Sequence, residues 1–286
     1  MLVFLHVEAP CLFSFFLQIM TTDKTIIRSR PKKLRTAALL LALVQQSFFL
    51  CAVWLRRQRA ELLLKPLPLV CLLVVLVASG KIPGYQAARH TAISLVLSLV
   101  GDVLMIPKKQ GPFILGSFFF AFGHIIFIIS TYLECRRMTG NTVDKVKSKK
   151  GNNNYNNKKL KLLSLILMAA VFIHVSLFIT FYQLYYHELF FYERILSSSY
   201  LLILGFALWR SLDMLLCFPH PLTRNERKRR LYAVIGYTLF LASDACIALG
   251  RYVFKPRSRG NRMVTNILYF FAQMFITLSG VSESRM

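Results

Sequence analysis

Eight apolar stretches, each near the length of a bilayer crossing, recur along the 286 residues and constrain the fold more than any other feature. A helix needs roughly 20 mostly apolar residues to cross a hydrocarbon core about 30 Å thick. Only helices and closed barrels satisfy every backbone polar group in lipid. The stretches are Ala37–Leu55, Leu62–Ser79, Thr91–Ile106, Phe113–Leu133, Leu160–Tyr182, Tyr192–Leu216, Leu231–Leu249 and Met263–Ser282. The third is the shortest and has to extend toward Arg89 to span. The gaps are mostly short, so successive helices should pack as antiparallel hairpins. The expected fold class is all-α, a polytopic integral membrane protein with eight transmembrane helices.

Apolar residues make up 56% of the chain, which excludes a disordered, collagen-like or disulfide-scaffold protein. The charge needs separate treatment, because 36 Lys and Arg against 12 Asp and Glu leave a net +24. Such an excess suits either nucleic acid or the cytosolic loops of a membrane protein. Here the bases lie between the apolar runs, on both sides of the spans, which argues against a nucleic-acid partner. Six precede span 1, two, nine and five follow spans 2, 4 and 6, and one is C-terminal, giving 23 on that side. The opposite loops hold 11. The positive-inside rule then places both termini in the cytosol.

Three segments flank or interrupt the membrane domain of residues 37–282. Residues 1–36 form a basic N-terminal extension, and its first 20 residues admit three readings: a signal sequence, a membrane-surface segment, or an extension before Met20. Thr139–Lys159 is dominated by Asn and Lys and is expected to be a disordered loop. Residues 283–286 are a short tail. The six cysteines, Cys11, Cys51, Cys71, Cys135, Cys217 and Cys246, form no pair at metal-ligand spacing and read as free thiols beside apolar stretches.

The informative residues are the polar ones inside the spans. An ionised Asp at mid-span costs about 2.5–3.5 kcal/mol on insertion scales. Asp102 nevertheless follows SLVLSLVG in span 3, and Asp244 follows TLFLAS in span 7. Each comes directly after a small residue, Gly101 or Ser243, that lets a neighbouring helix approach. With alternating span directions, both Asp residues, Lys65 in span 2 and Tyr269 in span 8 fall in one half of the membrane, with Gln273 at its middle. His124 lies near mid-span in span 4, within reach of that layer. Arg210 sits toward the other end of span 6 and can snorkel to the cytosolic face. Alone, Lys65 is a snorkelling lysine and His124 a core histidine; together the set reads as one polar pocket.

In a dry pocket the neutral form of a carboxyl group is favoured, whereas a neighbouring ammonium favours the ionised form. Two carboxylates can thus divide into an acid and a charge-stabilising anion. The same pair can also bind a cation or relay protons in a transporter. No P-loop, GxSxG, HExxH or Cys-rich zinc pattern is present.

At these residues the chain resembles the YhhN-like lysoplasmalogenase family of eight-span membrane proteins, in particular its animal members. The matching pieces are LLKPLPLVCL around Lys65, SLVGDVLMI around Asp102 and QGPFILGSFFFAFGH ending at His124. YLLILGFALWR supplies Tyr200, Gly205, Trp209 and Arg210, SDACIAL holds Asp244, and LYFFAQMFITLSGVSES holds Tyr269 and Gln273. The N-terminal extension and the Asn/Lys-rich segment depart from the family's compact pattern.

The resemblance implies hydrolysis of the vinyl ether bond of lysoplasmalogens, in the endoplasmic reticulum membrane, to a fatty aldehyde and glycerophosphoethanolamine or glycerophosphocholine. Asp102 and Asp244 would share acid–base catalysis, with either in either role. Lys65, His124, Tyr200, Tyr269 and Gln273 would contact the lysophospholipid or orient water, and aromatic and aliphatic span residues would receive the alkenyl chain through a lateral opening to membrane lipid. No metal or cofactor is required by this scheme. The rival expectation is a small proton- or cation-coupled transporter built on the Asp pair, against which no convincing internal repeat is found.

Overall fold

The structure is a computed structural model, in which residues 31–55, 64–78, 86–105, 110–146, 162–173, 176–177, 180, 191–216, 223–248 and 259–281 are described. The segment 1–20 and residues 147–159 lie outside them. The described helices are α1 (Pro31–Trp54), α2 (Leu67–Ala78), α3 (Gln86–Leu104), α4 (Gln110–Val146), α5 (Leu162–Ile173), α6 (Phe191–Leu216), α7 (Arg224–Ala248) and α8 (Arg259–Gly280). No strand occurs among the described residues. Each expected apolar stretch overlaps one of these helices, and α1, α4, α6, α7 and α8 contain segments long and apolar enough to cross a membrane. The chain is an all-helical polytopic membrane protein.

Helix ends depart from the expected spans for local reasons. α2 starts only at Leu67, so Lys65 stands in the turn before it; Pro66, with fixed φ and no N–H, suits that entry. α3 begins at Gln86, beyond Arg89, as its short apolar run requires. α4 continues to Val146 and takes in residues 139–146, which composition alone assigns to a disordered loop. Extending an existing helix costs far less than nucleating one, so polar residues continue it past the apolar run. α7 starts seven residues ahead of Leu231 because Thr223 and Glu226 form a capping box. The Thr223 N–H donates to Glu226 Oε2 at 2.8 Å, and the Glu226 N–H donates to Thr223 Oγ1 at 3.3 Å.

Side-chain contacts set the helix directions. Phe120 meets Phe240, and Phe127 meets Tyr237, so α4 and α7 are antiparallel. Tyr200 reaches Asp244 while Arg230 reaches Met214, so α6 and α7 are antiparallel as well. α4 and α6 thus start at the same end, and the chain must cross the bundle once between them, where α5 lies. Trp209 of α6 holds α5 there through a hydrogen bond to the Ser164 carbonyl at 3.1 Å.

α8 is central and packs on α7, α1, α2 and α3. Close helix approach depends on missing side chains. A Cβ on Gly236 would stand 2.8 Å from the Ile276 side chain and 3.0 Å from its backbone nitrogen. A Cβ on Gly101 would stand 2.8 Å from the Phe120 ring, and one on Gly116 would stand 2.9 Å from the Gly101 carbonyl. The outer surface exposes Leu40, Leu41, Phe48, Phe118, Phe122, Leu165 and Ile166, as lipid-facing positions should. Inside, one apolar cluster surrounds Leu72, Leu76, Ala92 and Phe270, and a second surrounds Phe120, Tyr237, Phe240 and Ile276.

Candidate active site

The start of α2, the end of α3, the starts of α4 and α6, the end of α7 and the start of α8 meet at one end of the bundle. A cavity of about 140 Å³ lies among them. Its polar lining includes Lys65, Asp102, Ser117, Ser197, Tyr200, Asp244, Asn266 and Tyr269. Its apolar lining includes Met105, Phe113, Phe120, Leu196 and Phe240.

Asp102 is 2% exposed and fully engaged. Lys65 Nζ lies 2.9 Å from its Oδ1, and the Tyr269 hydroxyl donates to its Oδ2 at 2.8 Å. Its two oxygens thus have different partners, an ammonium group on one and a phenol on the other. The contact of Gly101 with Gly116 and Phe120 is what brings this turn of α3 against α4. Asp244 has a different partner set. The Tyr200 hydroxyl donates to its Oδ2 at 2.8 Å, and no cation pairs with it among the described residues. Its neighbour Ser243 is fully buried and donates to the Thr265 carbonyl at 3.1 Å, drawing α7 against α8.

Three rings stand between the two carboxylates and the rest of the bundle. Phe120, Phe240 and Tyr269 meet edge to face, with centroids 5.6–6.1 Å apart. Such pairing fixes ring positions.

The structure therefore brings Lys65, Asp102, Tyr200, Asp244 and Tyr269 to one cavity. Gln273 and His124 stand a layer below it. The Gln273 amide donates to Ser98 Oγ at 3.1 Å and lies 3.4 Å from the Tyr269 hydroxyl, so it braces that tyrosine. His124 is 3% exposed, with its ring edge-on to Phe240 at 4.6 Å and near Tyr200 and Tyr237. Neither of its ring nitrogens has a hydrogen-bond partner among the described residues. Arg210 pairs with Asp213, three residues on, instead of reaching alone toward the surface. Cys51, Cys71, Cys135 and Cys246 form no disulfide among the described residues; Cys11 and Cys217 lie outside them. No group of three His, Cys, Asp or Glu side chains able to hold a metal ion occurs among the described residues.

Several residues of the site escape a reading of the sequence that searches for charge. Ser98, Phe240 and Asn266 are neutral, and serine or phenylalanine in a span is unremarkable by itself. Ser98 and Phe240 each stand four residues before one of the carboxylates, and Asn266 stands three before Tyr269, on the same helix face. That spacing is the signal that finds them.

Fold and site together define a polytopic membrane protein with one buried and one half-buried carboxylate, Asp102 and Asp244, facing one cavity. A profile of the YhhN family matches residues 60–280, and the chain belongs to that family. It is similar to lysoplasmalogenase TMEM86A of Bos taurus and of Homo sapiens. Each is 30% identical over 226 residues, covering 78% of this chain and 78% of the relative. No solved structure matches the chain.

Proposed function

We propose that this protein is a membrane ether hydrolase of the lysoplasmalogenase type, cleaving the vinyl ether bond of lysoplasmalogens. The products are a fatty aldehyde and glycerophosphoethanolamine or glycerophosphocholine. The observation that carries this reading is the unlike partner sets of the two carboxylates on one cavity. Membership of the YhhN family and the likeness to the two lysoplasmalogenases support the substrate class.

A vinyl ether is cleaved by protonating its β-carbon, which leaves an oxocarbenium ion at the carbon that bears oxygen. Asp244 supplies the proton. With a phenol as its partner and no cation, it can hold that proton on Oδ1 while Oδ2 accepts from Tyr200. Asp102, paired with Lys65 and Tyr269, faces the developing positive charge. Glycosidases stabilise an analogous transition state with a paired acid and carboxylate. Water then adds to the oxocarbenium carbon and gives its proton to the Asp244 carboxylate, which restores the acid. The resulting hemiacetal collapses to aldehyde and alcohol, so no net proton is consumed.

Lys65, 23% exposed at its side chain, also stands where a lipid phosphate can approach. Gln273 and His124 act behind the cavity wall, by bracing Tyr269 and by supporting Phe240. The membrane is that of the endoplasmic reticulum, with both termini cytosolic, a placement that rests on the family resemblance and the basic loops.

The test is aldehyde release from a lysoplasmenylethanolamine by the detergent-purified protein, run in D2O. One deuterium on the aldehyde α-carbon is expected, since that carbon takes the catalytic proton. An inert, monodisperse protein on both ethanolamine and choline substrates would reject the reading. Proton-driven uptake into proteoliposomes without hydrolysis would put transport in its place.

A further inference from the structure

The cavity's position along the helices bears on where its substrate comes from, a question that rests on the hydrolase reading above. Asp102 is two residues from the end of α3, and Asp244 is four from the end of α7. At 1.5 Å per residue, Asp244 is about 6 Å from its helix end, whereas Arg230, toward the opposite end of α7, is about 21 Å away. Against a hydrocarbon core about 30 Å thick, both carboxylates belong to one leaflet. That leaflet lies opposite the N-terminal end of α1, since α1 runs antiparallel to α8. Gln46 donates to the Asn266 carbonyl, which puts the start of α8 beside the later half of α1.

Cavity size adds a second constraint. A cavity of about 150 Å³ in a protein core holds one benzene molecule. The 140 Å³ here accommodates the reacting vinyl ether and its nearest carbons, but not a long alkenyl chain. The chain must stay in the lipid beside the site, at the depth of the cavity.

We infer that the enzyme takes its substrate from the leaflet opposite its termini, leaving most of the alkenyl chain in the bilayer. By the distribution of basic residues this is the non-cytosolic leaflet. The head-group product is released on that same side, and chain length beyond the first few carbons has little influence on turnover.

The experiment uses sealed proteoliposomes in which every molecule has its termini outside, selected by an affinity handle at the C-terminus. Lysoplasmenylethanolamine is added to the outer leaflet, and its zwitterionic head group opposes movement across the bilayer. Hydrolysis at least 10-fold slower than after detergent permeabilisation is expected. The opposite orientation should show no such latency. Equal rates in sealed and permeabilised vesicles of the first kind would overturn the inference while leaving the hydrolase reading intact. Absence of hydrolysis even after permeabilisation would overturn both. Independently of turnover, Ser197→Cys at the cavity should react with a membrane-impermeant maleimide only from the side opposite the termini. Labelling from the terminal side would also refute the assignment.

Discussion

The two ends of this bundle use the same helices for different purposes. At the cavity end, α3, α6, α7, α8 and the turn before α2 place two carboxylates, one ammonium group and two phenols around open space. At the far end, α4, α6, α7 and α8 surround a space of only about 40 Å³ with two arginines and a glutamate. There the charges are spent on the backbone. Arg230, 7% exposed, donates to the Met214 carbonyl at 2.5 Å, and Arg229 donates to the Ser279 carbonyl at 3.0 Å. Both carbonyls belong to the last turns of helices, where acceptors are left without helical partners and cations are favoured. Glu134 stands 3.8 Å from Arg229 and offsets part of the charge. The contrast teaches that buried charge alone does not identify a site. Charge tied to helix carbonyls holds the bundle, whereas charge that lines a cavity is within reach of a ligand.

The largest effect should come from the cavity end. Asp102→Asn and Asp244→Asn each keep size and shape, and each should lower kcat/KM by about 10²–10⁴-fold, the range typical of a lost acid–base group. Both variants should remain monodisperse in detergent. Near-normal hydrolysis by either would remove that residue from the chemistry.

Arg230→Leu attacks the other end and separates the two regions. It should destabilise the fold by about 1.5–3 kcal/mol, the scale of a hydrogen bond to a charged group. Thermal unfolding would register this as a lower midpoint, while kcat/KM per folded molecule stays within about two-fold. A large catalytic loss in the folded fraction would erase the distinction between the ends.

The tyrosines sharpen the comparison within the cavity. Tyr269→Phe removes a bond to the carboxyl group that is paired with Lys65 and should slow turnover by about 10–100-fold, whereas Tyr200→Phe removes a bond to the carboxyl group without a cation and should cost about 2–10-fold. The reverse ranking, from steady-state kinetics of both variants, would exchange the roles of the two carboxylates. The smallest effect belongs outside both regions. Leu165→Ala on the lipid-facing side of α5 should change stability by less than about 0.5 kcal/mol and leave activity alone.

Much of this was legible in the residues because lipid makes polarity conspicuous. Asp102, Asp244 and Lys65 stand out against apolar runs, and alternating span direction brings them to one half of the membrane. What the runs could not supply was helix extension beyond the apolar limit. The capping box before α7 and the polar continuation of α4 both depend on local hydrogen bonding rather than hydropathy. Depth within a layer was equally hidden. His124 and Gln273 share a helix face with the cavity residues Phe120 and Tyr269 but lie one turn deeper, against Phe240 and Ser98, behind the cavity wall. Arg229 and Arg230 read as loop bases next to an apolar run; only the packing of α6 and α8 shows their bonds to helix ends.

The polar stripe on α8 has a consequence for how the protein is made. Thr265, Asn266 and Thr277 each donate back to the carbonyl four residues earlier, so their side chains can enter lipid already satisfied. Gln273 and Tyr269 depend on Ser98 and Asp102 of α3. Translation delivers α8 after every other described helix, when Lys65, Asp102 and Asp244 have already been synthesised. The site is therefore completed by docking of the last span. A nascent chain carries both carboxylates but an unfinished cavity, and its catalytic competence becomes a readout of complete assembly.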